Sequence, residues 1–322
     1  MSWFEDLFIN EAKPALNRYS GSGGGGDEVL NSVIDRSVTN IKLNDATSIG
    51  QYAFYKCLNL ATVECPNVET IADYGFGGNT NLTSVKANSL TSIGAQGFDG
   101  CTSLASFNAP KLATTKGNVF KNCKSLTSVS FQNLTELGYA AFHGCTSLVS
   151  VSLPTLEVVG SGDNFRECSA LTHVDFPRAC TVGATMFFKC TSLEEVAFPS
   201  LGITDKTYPY ASAKLIGVVQ GGAFSGCTKL KKVDLATLKG TLSNAFGNCT
   251  SLESIIIRRS DAIAPLNVTD AFTGSSVEAG TCFIYVPSAL LDAYKSATNW
   301  SVYANQFRAI EDYPEICGGA SA

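Results

Sequence analysis

Two histidines in 322 residues leave little from which to build a catalytic site. His143 sits in a variable slot of a repeated motif and His173 on an expected strand, both ordinary surface positions. There is no Gly-x-Ser-x-Gly elbow, no metal-binding His pair and no phosphate loop ending in Lys-Ser/Thr. Acyl transfer, zinc hydrolysis and phosphoryl transfer therefore lack their residues. Glycine runs such as Gly75-Phe76-Gly77-Gly78 belong to repeat turns, and Asp175 with Glu195 supports no acid–base pairing. Cys-x-x-Cys never occurs among the 12 cysteines, which removes the usual metal cage. The chain is thus expected to be non-enzymatic, with no cofactor and no metal. Charged residues make up only 16%, and the net charge of −5 is spread without asymmetry, which excludes a nucleic-acid footprint. The one dense basic cluster, Lys229, Lys231 and Lys232, reads as a solvated repeat edge. No run of 18 apolar residues exists, so no membrane-spanning helix is expected. The first residues lack a basic start, and Glu5, Asp6 and Glu11 interrupt any apolar run, so no secretory signal is expected.

What is present is a repeat. Leu134 to Pro154 is one copy, marked by Phe142, then Cys145, then Leu148. The Phe recurs at 54, 76, 98, 120, 142, 165, 187, 224 and 246, with a decayed copy at 272, mostly 22 residues apart. A fixed period of this size means a solenoid, in which each coil buries its apolar face only against its neighbours. The spacing predicts about ten coils of 22–23 residues over 28–280. Each has a parallel strand with the pattern Leu148-x-x-Val151-x-Leu153, a shorter apolar pair (Leu134, Leu137), and a helical or 3-10 turn in which Phe142 plugs the interior. At roughly 4.8 Å per coil the array reaches on the order of 50 Å.

Eight of the cysteines (57, 101, 123, 145, 168, 190, 227 and 249) occupy one repeat position. A column of one residue type at coil spacing points inward, where a free thiol behaves as a small hydrophobe. Buried thiols rather than disulfides are expected, consistent with synthesis in a reducing cytoplasm. Asn79 stands in the same column, so a thiol is not mandatory there.

The ends and the breaks in period differ from the array. Ser2 and Glu5 form a capping box for an amphipathic segment over residues 1–20, whose apolar stripe is Trp3, Phe4, Leu7, Phe8 and Leu16. Glycines over 21–27 make a flexible linker behind it. Two readings remain open: the segment folds back as a cap, or it docks into another protein or self-associates. Between Phe187 and Phe224 the gap widens to 37 residues, placing an insertion near 202–220 that carries Tyr208 and Tyr210. Insertions in repeat arrays map to loops, often on the binding face. Residues 281–316 leave the repeat and read as a cap: a strand with Phe283, Tyr285 and Val286, then a helix over 289–296 that Ser288 starts, with Leu290, Leu291 and Tyr294 inward. Trp300, Phe307 and Ile310 would close the core, and residues 317–322 would fray.

Outward strand positions vary from coil to coil. They are hydroxyl-rich early (Ser106, Ser128, Ser150) and charged later (His173, Asp175, Glu195), with Ser254 and Ile256 also expected to face out. Together with Tyr208 and Tyr210 these form the candidate binding surface. A flat Ser-rich sheet suits a polymeric ligand, and solvated filler explains the same residues equally well.

The unit Ser-Ile-Gly-x-x-Ala-Phe-x-x-Cys-x-Ser-Leu-x-x-Val-x-x-Pro resembles the BspA-like leucine-rich repeats, and Ile284-Tyr285-Val286-Pro287-Ser288 through Trp300 is similar to that family's end-piece. The resemblance implies a leucine-rich-repeat solenoid that recognises a host surface protein or glycan, as an adhesin on a bacterial cell surface. It departs from bacterial members in showing no export signal or anchor. Residues 11–19, followed by the glycine run, are similar to leaders of phage tail-associated proteins. That second resemblance implies a virion protein attached to the tail through residues 1–20, made in the cytoplasm and released by lysis.

Overall fold

The computed structural model describes residues 36–318 except 160–161, 204–216 and 242. The docking-segment residues Trp3, Phe4, Leu7, Phe8 and Leu16, and the insertion tyrosines Tyr208 and Tyr210, lie outside the described residues. The fold is a parallel-strand β-solenoid of about 12 turns with little helix. The contacts divide it into two compact units, Met1–Leu153 and Pro154–Ala322.

In the first unit each coil contributes one face strand: β1 (Asn40–Lys42), β3 (Thr62–Glu64), β5 (Ser84–Lys86), β7 (Ser106–Asn108), β9 (Ser128–Ser130) and β11 (Ser150–Ser152). Two-residue flank strands alternate with them: β2 (Ser48–Ile49), β4 (Thr70–Ile71), β6 (Ser92–Ile93), β8 (Thr114–Thr115) and β10 (Glu136–Leu137). Pairing is parallel and one period apart, as in Thr62↔Ser84 and Ser106↔Ser128. In face strands the middle residue points in, so Ile41, Val63, Val85, Phe107 and Val151 are buried while their neighbours are not.

Three side-chain ladders follow from identical residues lying one coil apart. Phe54, Phe76, Phe98, Phe120 and Phe142 stack, the first pair at 5.1 Å and 7° and the last at 5.5 Å and 10°, within the range of favourable offset stacking. The cysteine column is more than filler. Cys101, Cys123 and Cys145 each donate Sγ–H to the carbonyl of the Phe one coil earlier, at 3.2, 3.2 and 3.1 Å. The Phe98 and Phe120 carbonyls, which already accept the i→i+3 bond from Cys101 N and Cys123 N, thereby fill their second lone pair. Thr83, Thr91, Thr127 and Thr135 donate Oγ1–H to the carbonyls of Ala61, Glu69, Ala105 and Ala113 at the coil surface.

The Phe-bearing turns do not propagate into helices. They carry i→i+3 bonds, such as Cys145 N to Phe142 O, but each turn is interrupted by a pair of left-handed residues four positions apart. Ala140 (φ 51°) and Gly144 (φ 73°) bracket one such turn. Gly138 is required by close approach: a Cβ there would lie 2.3 Å from the Lys116 backbone.

In the second unit the face strands are β13 (His173–Asp175), β14 (Glu195–Phe198), β16 (Lys232–Leu235), β18 (Ser254–Ile257), β19 (Phe283–Val286) and β20 (Phe307–Ala309), and the flank strands are β12 (Val158–Val159), β15 (Val218–Val219) and β17 (Gly240–Thr241). The turn count exceeds the ten Phe-marked coils because β19 and β20 continue the ladder without that marker. Phe165, Phe187, Phe224, Phe246 and Phe272 stack as in the first unit, so the copy at 272 is structurally intact.

The insertion leaves and re-enters through a narrow neck. Gly202 N and Gly217 N both donate to Cys180 O, at 3.2 and 3.1 Å, and both glycines have positive φ. The array beneath it keeps its pairing, with Glu195↔Lys232 in register across the gap.

Helix α1 (Leu291–Ser296) follows a 3-10 turn over Ser288–Leu290. Ser288 does not cap it; its amide donates to Glu311 Oε2 at 3.0 Å instead. Leu290 and Leu291 are only half-buried, and Tyr294 alone is the helix's inner residue. Trp300 Nε1–H donates to Ala264 O at 2.7 Å, and Ala264 N donates to the Tyr294 hydroxyl at 2.8 Å. These two reciprocal bonds seat the cap. Trp300 and Phe307 close the core as expected, whereas Ile310 stays half-exposed.

Candidate functional site

Twelve buried free thiols are the most abundant reactive groups, and the structure makes them inert. Burial pushes Cys101 and Cys249 up to about 12. A thiol in that state supplies neither nucleophile nor metal ligand at neutral pH. Among the described residues no cluster of His, Cys, Asp and Glu is arranged to hold a metal ion, and no helix is long and apolar enough to cross a membrane.

What remains is the outward strand face. In the first unit Glu64 bridges Lys42 (3.1 Å) and Lys86 (2.8 Å) on neighbouring coils. The hydrogen bond from Lys86, then that from Lys42, holds the Glu64 carboxyl below its ordinary range. Beyond this charged ladder the face turns to hydroxyls. Ser106 and Ser128 lie directly opposite each other, and Ser150 holds the same position on β11. All three are exposed.

In the second unit the face carries a groove of about 310 Å³ over β13, β14 and β16. It is lined by His173, Asp175, Glu195, Lys232 and Asp234 together with the apolar Val174, Val196 and Ala197. The three charged-region residues singled out from the sequence, His173, Asp175 and Glu195, are thus brought together, and all are exposed. The groove overlies a seam, since β13 and β14 belong to different hydrogen-bonded sheets.

The next coils are not available. Helix α2 (Pro314–Cys317) lies across β18 and β19, so Ile256 is fully buried and Ser254 nearly so, although both hold outward positions. Ile256, Tyr285 and Cys317 form a small apolar cluster with Ile310, Tyr313 and Ile316 around it. Two cations of the face fasten the segment. Lys232 Nζ donates to Ile316 O at 2.6 Å, and Arg258 donates to Cys317 O. The same guanidinium holds Asp234 with two bonds, 2.9 and 2.6 Å. Cys317, expected to fray, is anchored and 2% exposed. Sequence reading missed Lys232, Asp234 and Arg258 as site residues. The apolar pair Ile256 and Tyr285 at outward positions was the available signal that something covers them.

The family described as "BspA type Leucine rich repeat region", in six copies, matches residues 34–148, 111–212 and 211–276. No curated protein matches. Solved structures with similarity include a leucine-rich repeat protein from Bacteroides ovatus (23% identity, 86% of this chain and 85% of that one, TM-score 0.49). One from Eubacterium ventriosum shares 20% identity over 76% and 84% of the two chains, with TM-score 0.44. A leucine-rich cell surface protein from Faecalibacterium prausnitzii shares 19% identity over 88% and 83%, with TM-score 0.43. The matched repeats, which span more than half of the chain, carry the assignment: this chain belongs to the BspA-type leucine-rich repeat family.

Proposed function

We propose that the protein is a non-enzymatic recognition protein that binds a partner protein or glycan at a cell surface through its outward strand face. The observation that supports this is the division of labour within each coil. Fixed residues such as Phe142, Cys145 and Leu148 are buried, while the outward slots of the face strands vary in chemistry and stand exposed. Surface display and adhesion are typical of BspA-type proteins. The test is a panel of immobilised proteins and glycans probed with the purified chain. Any probe it binds should be lost to a Ser128→Arg, Ser150→Arg variant of unchanged thermal stability. Undiminished binding would overturn the assignment to this face. Tyr208 and Tyr210 are proposed as further anchors, since tyrosines are enriched among the residues that dominate interfaces. Their double replacement by Ala should weaken the same probe.

A narrower reading places the protein on a phage tail, attached through residues 1–20. It rests on the leader resemblance of residues 11–26 alone. Deleting 1–26 should then abolish incorporation into particles while leaving the solenoid folded, and unchanged incorporation would remove it.

A further inference from the structure

We propose that the groove over Ala197 receives a lysine or arginine side chain of a protein partner. The proposal rests on the strand-face reading above and gives it a chemistry. Glu195 and Lys232 are directly opposite in the β14–β16 ladder, which would ordinarily pair them across strands. They do not pair: the Lys232 ammonium is drawn to Ile316 O at 2.6 Å. Glu195 is left with no ion pair or hydrogen bond among the described residues, exposed in the groove lining. The other cation of the region, Arg258, is likewise committed, to Asp234 and to Cys317 O. Lys231, beside Lys232 in the chain, pairs with Glu194 at 2.9 Å and reaches Glu195 only through its charge, so the three carboxylates Asp175, Glu195 and Asp234 outnumber the one ammonium, Lys232, in the groove lining.

The shape suits the same ligand. Asp175, Ala197 and Asp234 hold one repeat position on successive coils, so the alanine forms a notch between Asp175 and the Arg258-bound Asp234, with Glu195 at its edge. The groove lining also carries the apolar Val174 and Val196. A long aliphatic stem with a cationic head lies along such a surface and meets carboxylates at its end. The face also demonstrably holds a peptide next to the groove. The chain's own residues 314–317 sit on it, with main-chain carbonyls accepting from the face's cations and side chains on the Ile256–Tyr285 patch.

The test measures binding of fluorescein-labelled tetralysine amide to the full chain at low ionic strength, with tetraglutamate amide as the opposite probe. Tetralysine binds and tetraglutamate does not. Glu195→Gln lowers tetralysine affinity about fivefold, the scale of one exposed ion pair. Ala197→Leu, which fills the notch at an exposed position without touching the core, lowers it at least as much. Raising the salt weakens binding in the wild type more than in Glu195→Gln. Absence of tetralysine binding, equal binding of tetraglutamate, or indifference to both substitutions would overturn the proposal. If it falls while the serine-to-arginine variants still lose their surface probe, the strand-face reading stands without it. If both fail, the face itself is the wrong surface.

Discussion

Asn79 shows what one residue does in a ladder. It holds the cysteine position of its coil and is fully buried, yet neither its Oδ1 nor its Nδ2 finds a partner in the protein. In that column Cys101, Cys123, Cys145, Cys190, Cys227 and Cys249 each donate to one Phe carbonyl. Replacing Asn79 by Cys should therefore stabilise the chain by about 1–3 kcal/mol, the cost of an unpaired buried polar group. Urea unfolding read by circular dichroism measures this; a loss of stability would show that the column is not interchangeable. The same column predicts that none of the 12 thiols reacts with a disulfide reagent at pH 8 until the chain is unfolded, because burial both blocks access and suppresses the thiolate. The cysteine column was legible in the sequence because period and burial are the same signal in a solenoid. Lys232 and Arg258 were not, because their partners lie 84 and 59 residues away and outside the repeat. Nothing in a 22-residue period encodes that distance.

At the scale of the element, the coil depends on close approach where neighbouring turns meet. Gly138 lies so near the Lys116 backbone that Gly138→Ala must push two coils apart, at a cost of about 1–3 kcal/mol. A midpoint in urea unchanged from wild type would mean that the turns have slack the structure does not show. The charged ladder of β1, β3 and β5 carries a pH signature. The folded-state carboxyl of Glu64 is held below its ordinary value of 4.5 by Lys86 and Lys42, so its contribution is present above that value and is lost as pH falls through the lowered one. Glu64→Gln should flatten the acid limb of the stability curve below about pH 4.5 and leave neutral-pH stability nearly unchanged, since exposed pairs contribute little. An acid limb identical in both proteins would contradict the ladder. Strand positions were readable from the Leu-x-x-Val-x-Leu pattern. The turns were harder: their apolar spacing is helical, and only the recurrent left-handed residues, such as Ala140 and Gly144, stop a helix from forming.

For the molecule as a whole, the solenoid separates stability from recognition. The insertion is the clearest case, since Gly202 and Gly217 meet at one carbonyl, Cys180 O, and the strands on either side keep their register. Deleting residues 204–216 and joining the neck should change unfolding free energy by no more than about 1 kcal/mol, the scale of closing or removing one short loop. A large loss would show that the insertion packs into the array. The C-terminal segment is the opposite case: residues 314–317, the last of them expected to fray, cover two coils and hold Lys232 and Arg258 beside the groove. Both follow from where the chain contacts the face, which the repeat alone does not determine.

The most direct measurement compares two sets of substitutions on one bound probe. Arginine is placed at the outward slots Ser106, Ser128 and Ser150 in one variant, and glutamate at the turn lysines Lys121 and Lys124 in another. Strand-face recognition predicts that the first variant loses binding more than tenfold while the second binds like wild type, both unfolding at the wild-type temperature. Loss of binding in the turn variant, with the strand-face variant unaffected, would contradict it.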